Sequence, residues 1–248
     1  MQLCGRSGIR ARIVAMAKQR DTSSLAGILT AAAGAGFSRA YRQVQIDERK
    51  YLRHIQRAHR LPIETWHDMF LLGPQVIDPI AASTVRSASK MAALEGAGLG
   101  LGGFLTVVPD MGILSAITLR MLQKLSLLYG FEYATEEESV KLWVAAASAA
   151  GLELSRDFLE KQAVERIVPR IIDRLAVKVG AEVAEKWAGR IIPVLSAGAA
   201  GALNYYFVRG WGRRAQKHFL ARHLFVASEA SRPQPHRLSS VPLLPSSI

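Results

Sequence analysis

The sequence predicts an all-α fold, a multi-helix bundle carrying two glycine- and alanine-rich apolar segments that read as helical hairpins. Three observations predict it. Alternation of period two, the mark of a half-buried strand, is nearly absent. Apolar residues instead recur three and four apart, as along Ile113, Leu114, Ile117, Met121, Leu125 and Leu128. Capping and stop residues cut the chain into pieces of helical length.

Residues 1–37 read as a basic, flexible segment. Met1 to Arg20 carries Arg6, Arg10, Arg12, Lys18 and Arg20 without an acid, and lacks the continuous apolar run of a secretory signal. Either Met1 or Met16 serves as its start. The lone Cys4 cannot form an internal disulfide. Ser38 to Leu61 reads as one polar, basic surface helix ended by Pro62. Glu64 to Leu72 is a short segment holding Trp66, Met69 and Phe70, closed by Gly73-Pro74. Ile80 to Glu95 is a helix of small residues leading into the first glycine run, Gly96 to Thr118, in which Asp110 is the only charge.

Pro109-Asp110 interrupts that run. Asp110 is expected to cap a new helix, because its carboxylate accepts from the free N–H groups of the first turn. The leucine-rich helix closes at Gly130, where a left-handed C-terminal cap is wanted. Thr135 and Glu138 fit a capping box, and Glu136 to Glu138 suit the positive end of the helix dipole. That helix holds Trp143 and stops at Gly151. Ser155 to Val179 follows with a kink expected at Pro169, and Ala181 to Arg190 continues it. The second run, Ile191 to Val208, has no charge, and Pro193 suits its first turn. After Gly210 a final helix is expected to about Ser228. The helical domain is thus 38–228, and 229–248, rich in proline and serine, reads as a disordered tail.

Signals for catalysis are weak. Gly98, Gly100 and Gly103 match G-x-G-x-x-G, but no strand precedes them and position 123 holds Gln where an acid is required. The six histidines lack a metal-binding spacing. Asp68, Asp78 and Asp110 lie in apolar sequence surroundings, which leaves open buried carboxylates of raised pKa. No catalytic, cofactor-binding or metal-binding residue is assigned, and no cofactor is expected.

Charge and glycine patterning point to a membrane. Net charge is +12 and the pI about 10.3, a balance that favours anionic partners. Nucleic acid is disfavoured, because aromatic residues are not interleaved in the basic stretches. Both glycine runs approach the length of a bilayer-crossing helix. Gly98 with Gly102, and Gly198 with Gly201 and Ala202, are expected either to pack helices closely or to enter a bilayer. On the last helix Trp211, Ala215 and Phe219 share one side. Arg209, Arg213, Arg214 and Lys217 take the other and suit an anionic surface, with Arg222, Leu220 and Leu224 as exceptions.

From Ile80 to Leu224 the order of these pieces resembles the EcsC family of bacterial proteins. The likeness rests on the run GAGLGLGGFLTVVPDMGIL and a leucine-rich helix closing with Tyr129-Gly130-Phe131. It continues through Glu136 to Glu138, Ile192-Pro193-Val194, Gly198, Gly201 and Asn204, and ends with FLARHL at Phe219 to Leu224. The family is named from a protein encoded beside genes of an ABC transporter. The resemblance implies a helical, membrane-associated bacterial protein and supplies no reaction or catalytic residues. The expected function is therefore non-catalytic, at the cytoplasmic side of the inner membrane, peripheral or hairpin-inserted, accessory to transport or envelope homeostasis. Anionic lipids and a membrane transporter are the expected partners. A soluble cytoplasmic scaffold or lipid-binding module, and a lipid-acting enzyme, stay open as alternatives.

Overall fold

The structure is a computed structural model that describes residues 26–99, 107–155, 164–188 and 197–230. Among them there are helices, turns and connecting segments, and no strand. The order is α1 (26–43), α2 (Glu48–His59), a short 3-10 helix (His67–Leu71), α3 (Pro74–Leu99), α4 (Val107–Leu128), α5 (Glu136–Ala149), α6 (Val164–Ala188) and α7 (Ala197–Ala230). The all-α expectation holds.

α1 corrects two expectations. Residues 26–37, assigned to a flexible segment, form helix, and Leu29, Ala33 and Phe37 are buried. Phe37 stacks on Trp211 at 6.0 Å and meets Trp143 edge-on at 6.3 Å, so α1 closes the core between α5 and α7. The expected single helix from Ser38 to Leu61 is broken at 44–47. The break has a local cause: the Asp47 carboxylate accepts from the Lys50 backbone N–H at 2.8 Å and starts α2 afresh. The buried Gln123 of α4 donates to the Val44 carbonyl at 2.9 Å, supplying a partner across the fold. α2 ends on Arg60 in the left-handed conformation.

α3 starts at Pro74, six residues before the expected Ile80, and carries Pro79 within its first turns. α4 starts at Val107, so Asp110 is its fourth residue and lies inside the helix rather than at the capping position. α4 is the core helix, with Leu114, Ile117, Met121, Leu125 and Leu128 buried. Its stretch Met111–Leu128 is long and apolar enough to cross a bilayer, but 67 % of it is buried inside the protein, as a core helix requires. It closes at Gly130, whose φ of +86° needs glycine. At α5 the Thr135 hydroxyl accepts from the Glu138 N–H at 3.2 Å, and the Glu138 carboxylate accepts from the Thr135 N–H at 3.0 Å.

α6 is continuous through Pro169. α7 is continuous from Ala197 to Ala230, so Gly210 does not break it and the described part of the second glycine run, from Ala197 on, is one element with the last helix. Pro193, Gly102 and residues 231–248 lie outside the described residues. α3, α4 and α7 pack pairwise, and α5 joins them and carries α6. The longest seam is α3 against α7, where the described ends of the two glycine runs meet.

Candidate functional site

The seam shows what the small residues do. A Cβ placed on Gly201 would stand 2.6 Å from the Ala93 carbonyl oxygen, and one on Gly96 would stand 2.6 Å from Asn204 Nδ2. These glycines let two helix backbones approach closely. The expectation fares unevenly elsewhere: among the described residues nothing lies within 4 Å of a Cβ on Gly98, and Gly198 is exposed. Gly96 replaces Gly98 as the packed member of the first run.

The basic cluster on α7 divides. Arg209 is half-buried and donates to the Tyr205 hydroxyl at 2.7 Å. Arg214 donates from Nε to the Ala149 carbonyl, the last of α5, so a cation meets a helix C-terminus. Its contribution is therefore partly architectural. Arg213 and Lys217 are exposed and make no ion pair among the described residues. Trp211 is buried and is not an interfacial anchor. Exposed apolar side chains take that place: Tyr206 at 71 %, Leu224 at 47 % and Phe225 at 60 %. Tyr206, Arg213, Lys217 and Leu224 are spaced seven, four and seven residues apart, which sets them on one line of the helix. The line runs about 27 Å at 1.5 Å per residue. No acid occurs in α7 before Glu229.

The exceptions to the α7 pattern have a reason. Arg222 lies 4.8 Å over the Phe131 ring, and burial lowers its pKa. His218 is pushed down by burial and then by Arg222. Beside them Tyr129 donates to Asp78 Oδ1 at 2.6 Å, and Gln216 donates to the Asp78 carbonyl. His223 Nδ1 lies 3.1 Å from the Tyr129 carbonyl, and its ring stacks on Phe70. Burial raises the Tyr129 hydroxyl. Asp78 is thus a hydrogen-bonded half-buried carboxylate. Asp68 reverses the expectation of a raised pKa: it accepts from the Thr65 and Glu64 N–H groups at 2.8 Å each, which hold it below the usual range. The described residues bring no three His, Cys, Asp or Glu side chains together as a metal-binding group.

A groove of about 1130 Å³ lies between α2, α3 and α4. Ile80, Ala88, Ile113 and Ile117 make its walls apolar, and Tyr51 and Ile55 close it from α2. Arg120 and Lys124 line it toward the end of α4, and Lys50 of α2 precedes the Tyr51 that Lys124 covers. Lys124 Nζ lies 5.3 Å over the Tyr51 ring, and its pKa is lowered by burial and then by Arg120. The Tyr51 hydroxyl is buried beside Thr84, whose own hydroxyl donates to Ile80, and it forms no well-directed hydrogen bond among the described residues. Burial pushes it up to about 12. Sequence reasoning missed this groove. The legible signal was Arg120 and Lys124, two cations four apart on a helix otherwise charged only at Asp110.

Residues 37–224 match the EcsC protein family. The chain belongs to the EcsC protein family. No curated protein and no solved structure matches it. The EcsC-like motifs converge in space in this family member. Tyr129 and Phe131 meet Phe219, Arg222 and His223 of FLARHL at the end of α4, and Gly96 meets Asn204 along the seam. Their roles in this EcsC chain are those of helix packing and buried polar contacts.

Proposed function

We propose that this EcsC-family chain is a non-catalytic protein that works at the cytoplasmic face of a membrane, accessory to transport or envelope homeostasis. The outward line on α7 carries the reading. Two free cations flanked by exposed Tyr206 and Leu224 match the chemistry of an anionic bilayer interface, where headgroups attract the cations and apolar side chains leave water. Peripheral docking is favoured over hairpin insertion, because Gly96 and Gly201 are engaged within the fold. Anionic lipids are the first partner, and a transporter at the same surface is the second. Cell fractionation tests the reading: the protein should sediment with membranes and be released by a carbonate wash. Recovery wholly in the soluble fraction, or release only by detergent, would count against it.

A further inference from the structure

The groove between α2, α3 and α4 carries an inference that does not rest on the α7 line. We propose that it binds one long-chain anionic amphiphile, an alkyl chain ending in a carboxylate or phosphate. Its volume of about 1130 Å³ lies just above the roughly 300 to 1,000 Å³ of ordinary small-ligand sites. From Gly112 to Lys124 it follows α4 for about 18 Å, the reach of an extended alkyl chain rather than a compact metabolite.

The groove has a head and a tail. Along α4 the lining is apolar at Ile113, Ala116 and Ile117, then cationic at Arg120 and Lys124. Lys50 of α2, next in sequence to the Tyr51 under Lys124, adds a third cation to the lining. The carboxylate there, Asp47, is engaged in capping α2. The remaining charged lining residues, Arg39 and Glu95, are of opposite sign.

Two of these three cations, Arg120 and Lys50, have no structural employment among the described residues, and Lys124 has a ring contact. Arg214 and Arg222 each satisfy a carbonyl or a ring, and that explains them. Arg120 and Lys50 make no side-chain hydrogen bond or ion pair among the described residues, and Lys124 has only the Tyr51 ring. Arg120 and Lys124, four apart on one helix, repel each other. An anionic head between them removes that repulsion, and the chain behind it covers the apolar wall. The same charges disfavour a basic peptide, the chain's own acid-free first twenty residues included.

The test is titration of the purified protein with a dansyl-labelled long-chain fatty acid below its micellar concentration, without vesicles. The unlabelled acid and the alcohol of equal chain length serve as competitors. Saturable binding is expected, displaced better by the acid than by the alcohol. The double variant Arg120→Gln, Lys124→Gln should weaken acid binding by about tenfold or more, since charge-assisted contacts are lost, and leave displacement by the alcohol unchanged. Ala116→Trp should block both. Arg213→Gln with Lys217→Gln should leave binding intact, which separates this site from the α7 line. Absence of saturable binding to the wild-type protein overturns the proposal. So does equal displacement by acid and alcohol, a comparison that needs no variant to fold. Capture of an acidic amphipathic peptide but of no alkyl acid would also overturn it, in favour of a partner helix.

Discussion

Substituting alanine at Gly201 and at Gly98 sets two opposed effects against each other on helices of the same fold. Alanine is favoured over glycine in a helix by up to about 1 kcal/mol. At Gly98 nothing among the described residues lies within 4 Å of the added methyl, so that gain is expected there. At Gly201 the methyl carbon would stand 2.6 Å from the Ala93 carbonyl oxygen and 3.3 Å from the Ala97 Cβ. Carbon–oxygen contacts settle at roughly 3.3 to 3.6 Å, so α3 and α7 must part by roughly 0.7 Å or more. Overpacking of this kind costs typically about 1 to 3 kcal/mol, which against the propensity gain leaves a net loss of up to about 2 kcal/mol. For a domain of this size each kcal/mol moves Tm by about 2 to 4 °C. Thermal unfolding followed by circular dichroism should therefore show Gly98→Ala raised and Gly201→Ala lowered by several degrees. An equal rise in both would refute the close crossing.

Other outcomes follow from buried groups. The Tyr51 hydroxyl is held up to about 12, so the folded state keeps its proton longer than the unfolded chain. That contribution is complete below about pH 10 and is lost as pH rises through about 12, a change of roughly 2 to 3 kcal/mol. Tyr51→Phe should unfold less steeply in alkaline urea titrations than the wild type, and an unchanged alkaline slope would count against the burial. His218 is held low, so the unfolded chain binds the proton first and stability falls as pH drops below about 6.5. His218→Asn should flatten that acid limb. Tyr129→Phe removes the 2.6 Å contact to Asp78 and should lower stability by about 1 to 3 kcal/mol in denaturant melts, with no loss if the contact is unimportant.

What the sequence disclosed and what it hid follow from range. Caps and stops are local chemistry, so the Thr135–Glu138 box and the Gly130 terminus were legible from a few adjacent residues. Continuity was not. Gly210 resembles a helix stop, yet α7 passes through it because its neighbours Val208 and Trp211 are buried and hold the helix in place. The membership of α1 in the core was hidden for the same reason: its small residues look like a linker until Phe37 meets Trp143 and Trp211. The basic face of α7 was visible as charge spacing, but only geometry separated Arg214, committed to the end of α5, from Arg213 and Lys217. The groove joins residues from three helices, so no linear motif could announce it.

The central claim is that the α7 line docks the protein on an anionic bilayer, and co-sedimentation with lipid vesicles tests it most directly. Wild-type protein and the Arg213→Gln, Lys217→Gln variant are compared on phosphatidylcholine vesicles with and without phosphatidylglycerol, at low and high salt. Each basic residue near such a surface contributes on the order of 1 kcal/mol, so the double variant should bind roughly thirtyfold more weakly at low salt. Wild-type protein should bind the anionic vesicles only and detach as salt shortens the reach of its charges. Binding that ignores lipid charge, salt and both substitutions would contradict the account.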